Sequence, residues 1–302
     1  MSAVAPSRPR GFDAFRERIA RLNAGDGIGT PPAFALRASD VVIAPFAKCG
    51  TTWLQQVVHG LRTRGDMDFD DVSRVVPWIE TARDLGFDLE APQRAQPRAF
   101  KSHLSWDLVP KGGRYVVSVR DPRDALVSMY RFMEGWFFEP GSISLEEFAR
   151  RQFMALGHGR DYWSHLRSWW EHRGDANVLL LCYEHMLDDL EATVRRVAAF
   201  AGIAADDELV ALVVRQSSRE FMLAHADKFD DRMMREHSER AAQLPAGSDS
   251  AKVRPGTPGG HARAVPAEIA AELDAVWRRE IGALGFRDYA SLVAELEREA
   301  RG

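Results

Sequence analysis

The chain has 302 residues, 45% of them hydrophobic, and a formal net charge of −4. This size allows one large α/β domain or two small ones, and the charge excludes a broad basic surface for nucleic acid. Two cysteines, Cys49 and Cys182, cannot form a disulfide framework, and no apolar run approaches the roughly 20 residues that span a bilayer. Residues 1–11 lack the apolar region of a secretory signal. We therefore predict a soluble, cytoplasmic protein.

Predicted strands and helices alternate after an N-terminal segment. Residues 1–35 contain a short predicted helix at 12–22 and are otherwise expected to be partly flexible, whereas residues 36–295 form one predicted domain. The predicted strands cover 41–43, 98–103, 114–119 and 177–183, and the later helices cover 188–201, 206–216 and 267–283. Alternation of this kind predicts an α/β fold with a parallel sheet that helices cover on both faces. Ligands of such sheets bind at the carboxyl ends of the strands.

The stretch 40–61 contains the most informative pattern. A β-branched run is followed by a short turn and then by apolar residues at helical spacing. A strand, a turn and a helix N-terminus in this order direct free backbone N–H groups and the positive end of the helix dipole at one place. The turn adds a cation, a glycine and two hydroxyl groups, in the run Lys48, Cys49, Gly50, Thr51, Thr52 and Trp53. A helix cap alone would explain one threonine, so we predict an anion site.

The pattern departs from the P-loop that binds nucleoside triphosphates. That motif needs glycine five positions before Gly50 and lysine directly after it. The chain has Pro45 and Thr51 at these positions, and its lysine precedes the glycine. An ATP-dependent phosphotransferase stays open as an alternative, as does a non-catalytic nucleotide-binding protein.

Two further segments place ionisable groups at predicted strand ends. Lys101 and His103 are two residues apart, so in an extended strand their side chains share a face. A histidine base beside a cation suits a reaction that deprotonates an alcohol while negative charge builds nearby. Arg120 and Ser128 follow the next strand, where a guanidinium fork and a hydroxyl could hold a second phosphate. An ordinary helix start with a surface arginine is the alternative for the latter pair.

Taken together, these segments resemble the cytosolic-type sulfotransferases, which use 3′-phosphoadenosine 5′-phosphosulfate (PAPS) as their donor. The run 48–53 is similar to that family's Lys-Ser-Gly-Thr-Thr-Trp, and the run 101–103 to its Lys-Thr-His. The run 120–132 is similar to its 3′-phosphate segment, and the resemblance extends from about residue 36 to 290. Cys49 in place of serine and Pro255 in place of lysine are departures.

The resemblance implies the sulfotransferase fold, a single domain with a P-loop-like central parallel sheet flanked by helices. It also implies in-line transfer of the sulfuryl group of PAPS, without a metal, to a hydroxyl of a small and largely apolar acceptor. The implied catalytic residues are His103 as general base, Lys48, Lys101 and Ser128. The implied PAPS contacts are Lys48, Cys49, Gly50, Thr51, Thr52, Trp53, Arg120, Ser128, Tyr183, Ser217, Met222, Arg254 and Gly256.

Aromatic side chains could form an apolar acceptor pocket. The candidates are Phe46, Trp78, Phe132 and Trp136. Ordinary core packing is the alternative for each of them taken singly. The sequence predicts neither a nucleic-acid partner nor a membrane span, and it leaves the oligomeric state open.

Overall fold

The computed structural model describes residues 6–22, 34–156, 160–253 and 264–301. The strands are β1 (Val41–Ile43), β2 (Ala99–Lys101), β3 (Arg114–Val119) and β4 (Val178–Cys182). The helices are α1 (Phe12–Leu22), α2 (Thr51–Thr63), α3 (Val72–Val75), α4 (Pro122–Trp136), α5 (Leu145–Phe148), α6 (Tyr162–Glu171), α7 (Tyr183–Asp188), α8 (Leu190–Ala201), α9 (Asp207–Gln216), α10 (Arg219–Ala224), α11 (Arg232–Ala241), α12 (Ala267–Glu280) and α13 (Tyr289–Arg301). None of the described helices has both the length and the hydropathy needed to cross a bilayer.

Within the described residues, the strands form one sheet in the order β2-β1-β3-β4, and every neighbouring pair is parallel. Val41 lies opposite Ala99 on one side and Arg114 on the other. This order brings the carboxyl ends of β1, β2 and β3 together at one edge of the sheet. The predicted parallel sheet is therefore confirmed.

Each face of the sheet packs against its own hydrophobic core, as the strand alternation requires. Val41 and Ile43 point into the core formed with helices α2, α8 and α9, whereas Val42 points into the core formed with α4, α6 and α12. In α2, Leu54, Val57, Val58 and Leu61 pack into the first of these cores at the spacing of one helix face, and the helix is buried on all sides from Leu54 to Arg62. Burial on both faces explains why β1 consists entirely of β-branched residues.

Several boundaries differ from those expected. Strand β2 ends at Lys101, two residues before the predicted end, so His103 lies in the following loop. The argument that Lys101 and His103 share a strand face is therefore wrong, although both reach the same cavity. Tyr183 begins helix α7 rather than ending β4. Helix α13 was not predicted.

Helix α1 packs against the same core as the sheet. Phe15 is buried and meets Phe138 edge to face, with ring centroids 5.4 Å apart. The predicted boundary at residue 35 stays a prediction, and the helix on its N-terminal side contributes to the domain's packing.

Candidate active site

The loop between β1 and α2 has a left-handed backbone at two positions. Lys48 has φ 69° and Gly50 has φ 98°, a region that favours glycine. A Cβ atom at position 50 would lie 3.0 Å from Tyr183 Cδ2. The N-cap residue of α2 is Gly50, which has no side chain to cap the helix, so this end presents backbone N–H groups and a positive dipole end. The loop has the backbone geometry of an anion site.

Three buried polar atoms beside this loop have no hydrogen-bond partner among the described residues. They are Thr51 Oγ1, Arg120 Nε and Ser217 Oγ. All three residues line one cavity of about 880 Å³. The other predicted donor contacts in its wall are Lys48, Gly50, Thr52, Trp53, Ser128, Tyr183 and Met222. Because an unsatisfied buried donor is costly, three of them around one cavity fit a ligand with several acceptor oxygens, as PAPS has.

An aromatic wall stands beside these donors. The rings of Trp53 and Tyr183 meet edge to face, with centroids 5.8 Å apart. Trp53 Nε1 donates a hydrogen bond to the backbone oxygen of Ser217 at 2.8 Å, which fixes the indole against the turn between α9 and α10. The Arg120 guanidinium lies 4.3 Å from the centre of the Tyr183 ring. This wall offers flat apolar surface for a planar base.

Arg120 connects the loop to the end of β3. Its Nη1 donates to the backbone oxygen of Lys48 at 2.9 Å, and its Nη2 lies 3.6 Å from Asp124 Oδ2. Ser128 faces the same cavity from helix α4. Arg254 and Gly256, which were expected beside them, lie outside the described residues.

Cys49 differs from its neighbours in the loop. Its thiol is buried in the hydrophobic core and does not appear in the described wall of the cavity. Burial raises the pKa of this thiol to about 12, so it is neutral. The backbone oxygen of Cys49 accepts a hydrogen bond from Ser118 Oγ. Any contact of Cys49 with a ligand would therefore come from its backbone.

His103 is held by two hydrogen bonds. Its Nδ1 lies 2.9 Å from the backbone oxygen of Pro45, and because a carbonyl only accepts, Nδ1 carries the proton and Nε2 the lone pair. Its backbone N–H donates to Glu80 Oε1 at 2.6 Å. Burial, and then the charge of Lys101, lower the pKa of His103 to about 3. The imidazole is therefore neutral at physiological pH, as a general base must be.

Lys101 is engaged by a carboxylate that the sequence did not indicate. Lys101 Nζ donates to Asp231 Oδ2 at 2.8 Å, and Lys252 Nζ lies 3.0 Å from the same oxygen. Ser73 Oγ donates to the other oxygen, Oδ1, at 2.8 Å. Burial alone would raise the pKa of Asp231, but the charges of the two lysines outweigh it and hold that pKa well below its usual range.

Sequence reasoning missed both Asp231 and Lys252. Asp231 is 130 positions from Lys101 along the chain, and no periodicity or motif connects the two. Lys252 lies within residues 244–263, which are rich in proline, glycine and serine and predict a long loop, where a charged side chain is usually exposed to solvent. Only the tertiary fold brings Lys252 into the cavity wall and Asp231 within reach of both lysines.

A family model described as a sulfotransferase domain matches residues 38–285. The chain belongs to the sulfotransferase family. The parallel sheet with flanking helices is accordingly a sulfotransferase fold in one domain, as the sequence analysis expected.

Curated sulfotransferases are similar over part of their length. The amine sulfotransferase of Oryctolagus cuniculus is 32% identical over 200 residues, which cover 63% of this chain and 64% of that protein. Sulfotransferase 4A1 of Homo sapiens is 34% identical over 183 residues, which cover 57% of this chain and 63% of that protein. The chain thus spans a little under two thirds of the length of these relatives.

Two solved structures show the same fold at low identity. A retinol dehydratase in complex with androsterone and inactive cofactor PAP has a TM-score of 0.67 and 20% identity, over 88% of this chain and 85% of that one. Mouse sulfotransferase SULT7A1 complexed with PAP has a TM-score of 0.60 and 20% identity, over 86% and 89%.

In this member of the sulfotransferase family, the cavity that His103 lines also has an apolar region. Trp78, Phe132 and Trp136 lie in its wall, as expected for acceptor contacts. The apolar wall also includes Ile19, Leu22, Met133, Phe137 and Met234. Helix α1 therefore supplies part of the cavity, although the sequence analysis left it outside the domain.

Phe46 is the exception among the expected acceptor contacts. Its ring packs edge to face against Tyr162 and His165, with centroids 5.5 and 5.6 Å away. It does not appear in the described wall of the cavity. Phe46 is half-buried and packs against the core, and its expected contact with the acceptor stays a prediction.

Proposed function

We propose that the protein is a PAPS-dependent sulfotransferase that modifies a hydroxyl of a small, largely apolar acceptor. The observation that carries the proposal is the position of a neutral histidine and two lysines in one cavity with an open helix N-terminus. Membership of the sulfotransferase family supports it. When bound, PAPS would supply a sulfuryl group attached to a phosphate leaving group.

The donor would be held by groups that the structure gathers around the phosphate loop. The hydroxyls of Thr51 and Thr52 and the first N–H groups of α2 would bind the 5′-phosphate. Arg120 and Ser128 would bind the 3′-phosphate, with Arg254 and Gly256 assigned there by the resemblance alone. The base would contact the wall built from Trp53, Tyr183, Ser217 and Met222.

The chemical roles follow from charge and protonation. His103 Nε2 has the lone pair needed to take the proton from an acceptor hydroxyl. Lys48 would stabilise the charge that develops on the leaving phosphate, and Lys101 the oxygens of the transferred group. Attack in line with the leaving oxygen needs only positioning and fixed positive charge. A sulfuryl group carries less charge than a phosphoryl group, so we propose that no divalent metal takes part.

The apolar end of the cavity supports an apolar acceptor. Methionine, leucine and aromatic side chains dominate the wall beyond His103, and such a wall favours burial of apolar surface. Androsterone, which the retinol dehydratase structure contains, is a suitable first compound for an acceptor panel.

The proposal is tested by incubating the protein with labelled PAPS and a panel of phenols, sterols, lipid alcohols and sugars. We expect transfer to at least one apolar alcohol, and we expect it to persist in the presence of a metal chelator. Calorimetric titrations with 3′-phosphoadenosine 5′-phosphate (PAP) and with ATP distinguish this function from an ATP-dependent phosphotransferase and from a non-catalytic nucleotide-binding protein. Tighter binding of ATP together with turnover dependent on Mg²⁺ would favour the phosphotransferase. Binding of PAP without transfer to any acceptor would favour a non-catalytic protein.

A further inference from the structure

Lys252 is a largely buried lysine in the cavity that the roles above do not use. Its side chain is only 11% exposed. Its Nζ lies 4.2 Å from the centre of the Phe132 ring and 5.0 Å from that of Trp136. Cation–π contacts and one carboxylate therefore replace the water that an ammonium group normally keeps.

Lys252 lies among the groups assigned to the transfer step. It shares Asp231 Oδ2 with Lys101. Lys48 Nζ lies 4.3 Å from the centre of the same Phe132 ring that Lys252 contacts. Lys252 thus shares a carboxylate with Lys101 and an aromatic ring with Lys48, the two lysines that would face the reacting groups.

The charge of Lys252 also reaches His103. Burial and the charge of Lys101 are the main causes of the lowered pKa of His103, and the charge of Lys252 adds to them. A cation that acts on the imidazole through buried, low-dielectric surroundings is close to the position where the acceptor hydroxyl would react.

The carboxylate between the two lysines is the fixed member of this group. Asp231 has a left-handed backbone with φ 46°, precedes helix α11 and accepts from Ser73 Oγ. The two lysines approach it on flexible stems. Asp231 pairs directly with both lysines, whereas Asp71 and Asp230 attract Lys101 and Lys252, respectively, without an ion pair at contact distance.

We propose that Lys252 contacts the transferred sulfuryl group and is a third catalytic lysine, with Asp231 as the positioning residue that holds it beside Lys101. This inference rests on the proposed function. In the step, the bond from sulfur to the leaving phosphate oxygen breaks with its electron pair going to that oxygen. The bond from sulfur to the acceptor oxygen forms, and the acceptor proton goes to His103 Nε2. Lys252 keeps its proton throughout.

PAPS and PAP differ only in the sulfuryl group, so their relative affinities report on contacts to that group. We propose calorimetric titration of both nucleotides, without acceptor, against wild type and Lys252→Met. Methionine keeps an unbranched apolar stem against Phe132 and Trp136. Lys101 remains to balance Asp231, so the variant should fold. We expect its affinity for PAPS to fall about tenfold or more relative to its affinity for PAP.

Two further variants complete the experiment. Lys111→Met is a matched control, because Lys111 also lies over an aromatic ring, 4.7 Å from the centre of Trp106, and outside the described wall of the cavity. It should leave both affinities unchanged. Lys252→Arg keeps the charge and should retain more of the preference for PAPS than Lys252→Met.

The outcomes separate this inference from the function on which it rests. Failure of wild type to bind either nucleotide would overturn the proposed function. Nucleotide binding with an unchanged PAPS-to-PAP ratio in Lys252→Met would overturn only the role of Lys252. Equal weakening of both nucleotides would also overturn it, because the lysine would then act on the nucleotide generally.

Discussion

Substituting Thr51 by valine tests whether the phosphate loop keeps an unsatisfied hydroxyl for its ligand. Thr51 Oγ1 is buried and has no hydrogen-bond partner in the part of the chain that the structure describes. An unsatisfied buried polar group costs about 1–3 kcal/mol, and valine has nearly the same shape and helix propensity as threonine. We expect Thr51→Val to raise the free energy of unfolding of the ligand-free protein by about 1 kcal/mol. The lower end of the range applies because a hydroxyl in a cavity wall loses less of its hydration than one in a closed core.

The same substitution should weaken the binding of PAP. A hydrogen bond to a charged phosphate oxygen contributes about 1.5–3 kcal/mol, which corresponds to about ten- to a hundredfold in affinity. Stability and affinity should therefore change in opposite directions. Urea unfolding followed by tryptophan fluorescence measures the first, and calorimetric titration with PAP measures the second.

Thr63 provides a matched control at the other end of helix α2. Thr63 Oγ1 donates to the backbone oxygen of His59 at 2.6 Å, so Thr63→Val should lower the free energy of unfolding by about 1 kcal/mol. PAP affinity should not change. If instead Thr51→Val destabilises the ligand-free protein and binds PAP as wild type does, the hydroxyl serves the fold and the reasoning about the loop is refuted.

Three further predictions concern the base, the loop glycine and a buried histidine. His103→Ala should lower turnover by about 10²- to 10⁴-fold while PAP affinity stays nearly unchanged, and a wild-type rate at neutral pH would remove His103 from the base role. Gly50→Ala should lower the free energy of unfolding by more than about 1 kcal/mol, because its Cβ would meet Tyr183. Gly86 also has a positive φ, but no atom lies within 4 Å of the position of an added Cβ. An equal loss of stability in Gly50→Ala and Gly86→Ala would therefore mean that backbone strain alone is responsible. Burial lowers the pKa of His165 to about 4, so only the unfolded chain takes up its proton as pH falls below about 6.5, and stability is lost towards pH 4. The free energy of unfolding lost between pH 6 and pH 5 should be about 1 kcal/mol smaller in His165→Gln than in wild type. Equal losses in the two proteins, measured by urea unfolding at both pH values, would contradict this.

The fold class and the strand–turn–helix geometry of the loop that we propose binds phosphate were predictable because their information is local in the sequence. The β-branched run 41–43 and the spacing from Trp53 to Leu61 each specify one element, and the turn between them is contiguous with both. A strand, a turn and a helix N-terminus that follow one another directly need no distant contact to create an anion site. The same reasoning placed Arg120 at the end of β3.

The local patterns were less reliable where tertiary packing decides the outcome. Phe46 and Phe132 are both aromatic residues near predicted ligand loops, but Phe46 packs against α6 and Phe132 faces the cavity. Nothing in their immediate sequence distinguishes core from cavity, because both environments remove an aromatic ring from water. The end of β2 was misplaced for another reason. Ser102 and His103, which follow the strand, include no glycine or proline, so the sequence gives no signal of where strand pairing stops.

The sequence by itself determined the parallel sheet, the strand–turn–helix order of the loop at residues 41–63 and the histidine to which we assign the base role. Only the tertiary structure decided what surrounds those groups. The hydrogen bond from His103 to Pro45 selects the tautomer, and the carboxylate of Asp231 lies 130 positions from its partner Lys101. The physical reason is that secondary structure follows from the periodicity of neighbouring residues, whereas charge balance in a buried site depends on which distant segments packing brings together.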